Sequence, residues 1–400
     1  MVDRRQNLPE TFMGACNMQI YLDNAATTKM RKAAIDAMLP YMYDIYGNPS
    51  SMHSAGQKAN AAAVNARGRI AKLLGCEAGE ITFTSGGSEA DNQAIISAAR
   101  IGEKSGKKHI VSAAFEHSAV LRTLEKLERE GFDITLLKVN GDGIVTPGQA
   151  AEAIRKDTCL VTIMYANNEI GTLQPIREIG SVCRNCGVLF HTDAVQAAGS
   201  IDINVREQNI DMLSLSAHKF HGPKGIGALY ARKGIELTCI IEGGTQERGK
   251  RAGTENIPAI MGMAAAFEES CSSISEDTKR ITAMRDRLIS GLSEIPYSVL
   301  NGDAKKRLPG NVNFSFEGID GEALLLLLDQ KGVCASSGSA CMSGSHGPSH
   351  VLLAIGRTKD TAVGSLRLSL SRENTDEEIE YTIHAVKEAV EYLRSVFPAR

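Results

Sequence analysis

From about residue 57 to 275 the chain alternates helical stretches with short apolar runs that end in small or polar residues. The runs are EITFTS, HIVSAAFEH, TCLVTIMYANNE, GVLFHTDA, DMLSLSAH and GIGALYAR, and between them lie pieces such as QKANAAAVNARGRIAKLLG and SEADNQAIISAARIGEKSG. A strand, a helix and a further strand close as a crossover between parallel neighbours. The alternation therefore predicts an α/β fold with a mostly parallel sheet. In open sheets of this kind ligands collect beyond the carboxyl ends of the strands, so the residues that follow each run are the first candidates for chemistry.

Beyond a helical stretch ending near Cys271 the pattern changes to helix ISEDTKRITAMRDRLISGLSEI, strand NVNFSF, helix GEALLLLLDQKG, strand GSLRLSLS and a long last helix from Thr375. This predicts a second, smaller α+β domain over 276–400, to which residues 1–28 return, beside a large domain over 29–275. A length of 400 residues accommodates both cores. The 44 basic and 47 acidic residues leave a net charge of -3, which offers nucleic acid no electrostatic footprint. The longest aliphatic run, Leu324 to Leu328, is far too short to span a bilayer, and the first residues lack the apolar stretch of a secretory signal. Nine scattered cysteines fit neither a disulfide framework nor a four-ligand zinc site, which predicts a reducing, cytoplasmic setting and no bound metal. The pair Cys183 and Cys186 has redox spacing but ends a helix before a buried strand, and reads as structural.

Several run ends carry groups suited to one cofactor. In ITFTSGGSEADN a strand passes through Gly86, Gly87 and Ser88 into a helix, and backbone N–H groups at such a terminus make a cup for phosphate. FEHSAV ends on His117, and FHTDAVQAAG supplies Asp193 and Gln196. LSLSAHKFHGPKG places Ser216, His218 and Lys219 after a strand and before the stiff turn Gly222-Pro223, where a desolvated amine forms a Schiff base. Together these are the parts that hold pyridoxal 5'-phosphate: a phosphate cup, an acid for the pyridinium nitrogen and a lysine for the aldehyde. Apart from them stands CASSGSACMSGSHGPSH, which sets Cys341 among serines and glycines with little to bury it. Cysteine is usually buried, so this setting points to reactivity rather than packing; Cys334, at the strand-like start, reads as structural.

These residues resemble the NifS/IscS-type cysteine desulfurases, a class V aminotransferase-like group of pyridoxal-phosphate (PLP) fold type I. The shared segments are YLDNAATT, GNPSSMHSAG, TSGGSEADN, EHSAV, ANNEIGTLQPI, HTDAVQ, SAHKFHGPKG, GGTQERGKRAGTEN, SSGSACMS and GSLRLSLS, from Tyr21 to Leu370. HKFHGPKG and RAGTEN resemble the NifS branch more than the IscS branch. The resemblance implies a seven-stranded large-domain sheet and a homodimer. It implies that Lys219 holds the cofactor aldehyde, Asp193 pairs the ring nitrogen, Gln196 contacts the phenolic oxygen and His117 stacks on the ring. Gly87, Ser88, Ser216 and His218 match phosphate-binding positions, and Thr254 matches the position that reaches the phosphate from a second subunit. Arg367 matches the clamp for the substrate carboxylate, Asn48 and Asn168 neighbour substrate or cofactor, and Cys341 matches the thiol that receives sulfur. The implied activity is conversion of L-cysteine to L-alanine with persulfide formation, feeding an iron–sulfur scaffold or another sulfur acceptor. Selenocysteine lysis, desulfination, transamination or a non-catalytic sulfur carrier are the alternatives. Ser88 departs from the usual threonine, Met342 and His346 depart from the usual loop, and residues 1–17 precede the point where relatives commonly begin.

Overall fold

In the computed structural model, residues 19–337 and 347–396 are described. Its strands are β1 (Ile20–Tyr21), β2 (Ile81–Thr84), β3 (His109–Ala113), β4 (Asp133–Leu137), β5 (Thr158–Thr162), β6 (Leu189–Asp193), β7 (Met212–Ser216), β8 (Gly227–Ala231), β9 (Ser298–Leu300), β10 (Asn311–Phe316), β11 (Val333–Cys334) and β12 (Ser365–Ser369). Seven form one sheet in the order β2-β8-β7-β6-β5-β3-β4, in which β8 alone runs against its neighbours. Strands β2, β3, β5, β7 and β8 are buried at every residue. A sheet covered by helices on both faces requires this, and it explains why these strands read as unbroken runs rather than as alternations. Strand β4 is the one the sequence pattern did not single out. It lies at the sheet edge with most of its residues partly or fully exposed, so DITLL carries little apolar signal.

The parallel strands all end at one edge. Thr84 of β2 and Ser216 of β7 both pair with Gly227 of β8, so the loop after β2 and the turn after β7 are neighbours across a single residue. A Cβ on Gly227 would lie 2.4 Å from the Leu215 carbonyl oxygen and 2.8 Å from the Gly86 Cα. Both obstacles are backbone, so the two loops meet because this position has no side chain. Gly227→Ala is expected to destabilise the fold by about 1–3 kcal/mol, the range for overpacking, and to weaken phosphate-ligand binding as well. A urea midpoint and ligand affinity equal to the parent's would show that the loops do not depend on this approach.

The second core gathers around the antiparallel sheet β9-β10-β12 and the parallel pair β1-β11, with Ile20 and Leu22 packed among Phe314, Leu328, Leu368 and Val390. The amino-terminal segment thus returns to the carboxyl-terminal part of the chain. The two helices expected on either side of residue 272 are one helix, Ile257–Ser293. Its apolar stripe lapses over Ser272–Asp277, which the sequence reading took for a break. No glycine or proline lies there to break the helix, and the Ser273 hydroxyl is within reach of Asp277 Oδ2 at 2.6 Å, one turn on. Ile257 to Phe267 pack in the large core, and Met284, Leu288 and Leu292 in the small one. The boundary expected at 275 therefore falls inside a helix that spans both cores. Among the described residues no helix is long and apolar enough to cross a membrane.

Candidate active site

At the carboxyl edge of the sheet lies a cavity of about 270 Å³. Nine of the residues singled out from the sequence line it: Gly87, Ser88, His117, Asn168, Asp193, Gln196, Ser216, His218 and Lys219. They come from the ends of β2, β3, β5, β6 and β7, which the parallel topology brings to one rim.

The helix Gly87–Lys104 starts at this rim with no side chain capping it, and Glu89 in its first turn instead accepts from Ser85 N and pairs with Arg251. Its terminal N–H groups are thereby left for a ligand. A Cβ on Gly87 would meet Val195 Cγ2 at 2.6 Å, so glycine is what lets the cup close against the β6 loop. Ser216 ends β7, and a short 3-10 turn, Ala217–Lys219, carries Lys219 over the rim. Its ammonium donates to the carbonyl oxygens of Ala25 (2.5 Å) and Ala26 (2.8 Å), and Gln196 Nε2 also donates to Ala25 (2.9 Å). His218 Nδ1 faces Thr27 Oγ1 at 3.1 Å. The segment Asn24–Thr28 therefore forms the wall opposite the strand ends, and Ala25 and Ala26 line the cavity although the sequence reading gave them no role.

The electrostatics separate the groups. Burial, with Lys219 and Lys224 adding, holds His218 down to about 4, so it is neutral at physiological pH. His117 caps the helix Ser118–Arg129 by accepting at Nδ1 from Ala119 N at 3.2 Å. Burial lowers its pKa, opposed by Asp193, and the neutral ring therefore carries its proton on Nε2. Burial raises Asp193, against the favourable pull of His117, the Val195 N–H at 2.9 Å and Lys219. Atoms of Asp91, His117 and Asp193 lie within 4.8 Å of one another. Two unit charges that close repel by roughly 3 kcal/mol even at an effective dielectric of about 20. Asp91 was missed in the sequence, though its spacing of three and four residues from Ser88 and Gly87 puts it on the same helix face.

Three candidates stand elsewhere. Arg367, on β12, does not line the cavity but sits behind Asn168, whose carbonyl oxygen accepts from Nη1 at 3.1 Å. Its Nη2 donates to Asp23 Oδ1 at 2.9 Å, and Nε, in a side chain 1% exposed, has no partner among the described residues. Asn48 is exposed with Oδ1 accepting from Ser50 N, and Thr254 is exposed on the Arg251–Glu255 loop; neither lines the cavity. Cys341, with Met342 and His346, lies outside the described residues. The chain on either side of that segment is anchored beside the site. Ser336 N and O pair with Arg367 O and N, Ser349 Oγ donates to Glu169 Oε2 at 2.5 Å, and His350 Nε2 contacts the Glu116 carbonyl at 3.0 Å.

Comparison with known proteins decides the family. The class V aminotransferase family model matches residues 20–382. The chain belongs to that family. It is 50% identical to a protein of Methanosarcina thermophila named cysteine desulfurase IscS, over 96% of this chain and 94% of that one. Among solved structures, a NifS-like protein is 37% identical with a TM-score of 0.88, covering 94% of this chain and 100% of its own. A structure described as SspA in complex with cysteine is 38% identical with a TM-score of 0.78, covering 88% and 99%. Within the class V family the chain falls in the NifS/IscS cysteine desulfurase group, and it shares that group's PLP fold type I and its character as pyridoxal-phosphate enzymes.

Proposed function

We propose that the protein is a cysteine desulfurase that uses pyridoxal phosphate and passes sulfur to Cys341. The observation that carries this reading is the convergence of an amine, an acid and a glycine-floored helix terminus on one cavity. The residues present fit the cofactor: Gly87 lets the helix terminus close against Val195 at the rim, Asp193 is a buried acid, and Lys219 is within the same walls. Gly87, Ser88, Ser216 and His218 would hold the phosphate, Asp193 the ring nitrogen, Gln196 the phenolic oxygen, and His117 the ring face. When bound, pyridoxal phosphate supplies an electron sink for the bonds at the substrate's α-carbon.

Each remaining step belongs to the chain. Arg367 binds the substrate carboxylate through donors that Asp23 and Asn168 leave unused. The Lys219 amine takes the proton from the substrate's α-carbon and returns one later. His117 holds a proton at Nε2 that it delivers within the cavity. The Cys341 thiolate attacks the substrate sulfur; an S–S bond forms as the substrate's Cβ–S bond breaks, so cysteine and enzyme thiol become alanine and enzyme persulfide. An iron–sulfur scaffold or another thiol acceptor then takes the sulfur, in a reducing cytoplasm. We also propose a homodimer, in which Thr254 serves the neighbouring cavity. Its exposure supports this, as do Tyr43, Tyr46 and Met52, 81–91% exposed within one ten-residue stretch.

The test is alanine release from L-cysteine together with a persulfide assay. The parent should form both products, and Cys341→Ala should bind cysteine yet yield no enzyme persulfide. A Cys341→Ala variant that released alanine and sulfide at the parent rate would remove Cys341 from the mechanism.

A further inference from the structure

One carboxyl of the cavity has no use in the reading above. Asp91 is 1% exposed, and its Oδ1 has no hydrogen-bond partner among the described residues. A carboxylate oxygen of Asp91 lies within 4.8 Å of one from Asp193 and of a ring nitrogen of His117. His191 Nε2 is 3.7 Å from Asp91 Oδ1, but this ring is no cation. Its two nitrogens are engaged with Thr162 Oγ1 at 2.8 Å and Ser214 Oγ at 3.0 Å, and burial holds its pKa down to about 3.

The groups around the pair treat its two members differently. Burial works against charge on either acid, but Lys219 and the Val195 N–H favour it on Asp193. Asp91 faces burial first, then the charge of Asp193, with Glu116 adding to the same side and the Ser214 hydroxyl alone opposing. Two buried carboxyls this close do not both ionise, and the environment selects which one does.

We propose that Asp91 is a positioning residue that remains a neutral acid, so that the Asp91–Asp193 pair carries one negative charge, held on Asp193 for the ring nitrogen. The proposal rests on the cofactor reading for its purpose, but not for its physics. A neutral acid within 4.8 Å of Asp193 and His117 fills that corner of the cavity and offers a hydrogen-bond donor without adding a second charge. Asparagine matches that shape and neutrality, and alanine does not.

Two measurements test it. In the apoprotein at neutral pH, the infrared difference between the parent and Asp91→Asn should contain the carbonyl stretch of a protonated carboxylic acid. Stability should follow: as pH rises above the ordinary aspartate range, the unfolded chain releases a proton that the folded one keeps. The ratio of unfolding constants should then shift in favour of Asp91→Asn by up to tenfold per pH unit. A difference spectrum showing only carboxylate bands, or a flat ratio, overturns the proposal. With pyridoxal phosphate added, Asp91→Ala should bind at least tenfold more weakly than the parent and Asp91→Asn should recover most of that loss. Asp193→Asn should not. An Asp91→Asn protein as weak as Asp91→Ala would mean that the charge is needed, and the proposal fails. A parent that takes up no pyridoxal phosphate would sink the cofactor reading, while the infrared and stability results would still judge Asp91.

Discussion

Lys219→Ala should lose the visible absorption of bound cofactor on dialysis and should turn over L-cysteine at least about 10⁴-fold more slowly, the upper range for a positioned acid–base group. The structure separates this chemical loss from a structural one. The Lys219 ammonium donates to two carbonyl oxygens, those of Ala25 and Ala26, and Gln196 continues to donate to the first when the amine is gone. The 3-10 turn is held by backbone bonds from Phe220 N and Gly222 N to the Ala217 carbonyl, which the substitution leaves in place. Folding should therefore survive, and a melting temperature close to the parent's apoprotein is part of the expected result. Lys219→Arg provides the second arm. A guanidinium keeps the positive charge and the donors but stays protonated at working pH, so it cannot take a proton from carbon. It should be as inactive as the alanine variant. Retained absorption and turnover in either variant would show that another amine carries the reaction.

What could be read in the sequence follows from how locally each feature is encoded. Asp193 ends an apolar strand, Lys219, Gln196 and Ser88 lie within a few residues of the end of one, and parallel topology brings such positions together without further information. Strand β4 escaped notice because an edge strand has too little burial to mark its sequence. The helix Ile257–Ser293 was divided because its apolar stripe stops between its two cores, although its backbone continues. Asp91 was hidden by resembling an ordinary acidic residue in the first turns of a helix; only the folded chain shows that it is buried and lines the cavity. Asp23 was illegible for a different reason. Its partner Arg367 is 344 residues away, and no local pattern reports such a pair.

That pair sets the second large effect. A guanidinium has five N–H donors; Nη2 of Arg367 spends one on Asp23 and Nη1 one on the Asn168 carbonyl, while Nε points to no partner among the described residues. A buried donor without an acceptor costs about 1–3 kcal/mol, and a ligand that supplied the acceptor would relieve that cost. In the proposed reaction the α-carboxylate of the substrate would do so through two parallel bonds. Arg367→Lys keeps the charge, and its ammonium stays with Asp23, but the fork is gone. The expected result is a fall in kcat/KM for L-cysteine of about 10²-fold, equivalent to about 2.7 kcal/mol, carried mainly by KM. L-cysteine methyl ester distinguishes this from general damage. The ester lacks the anionic carboxylate, so the parent should strongly prefer cysteine over it, and Arg367→Lys should lose most of that preference while processing the ester nearly as the parent does. If the variant slowed both substrates equally, Arg367 would be a brace between Asp23 and Asn168, and the substrate carboxylate would have to be held elsewhere.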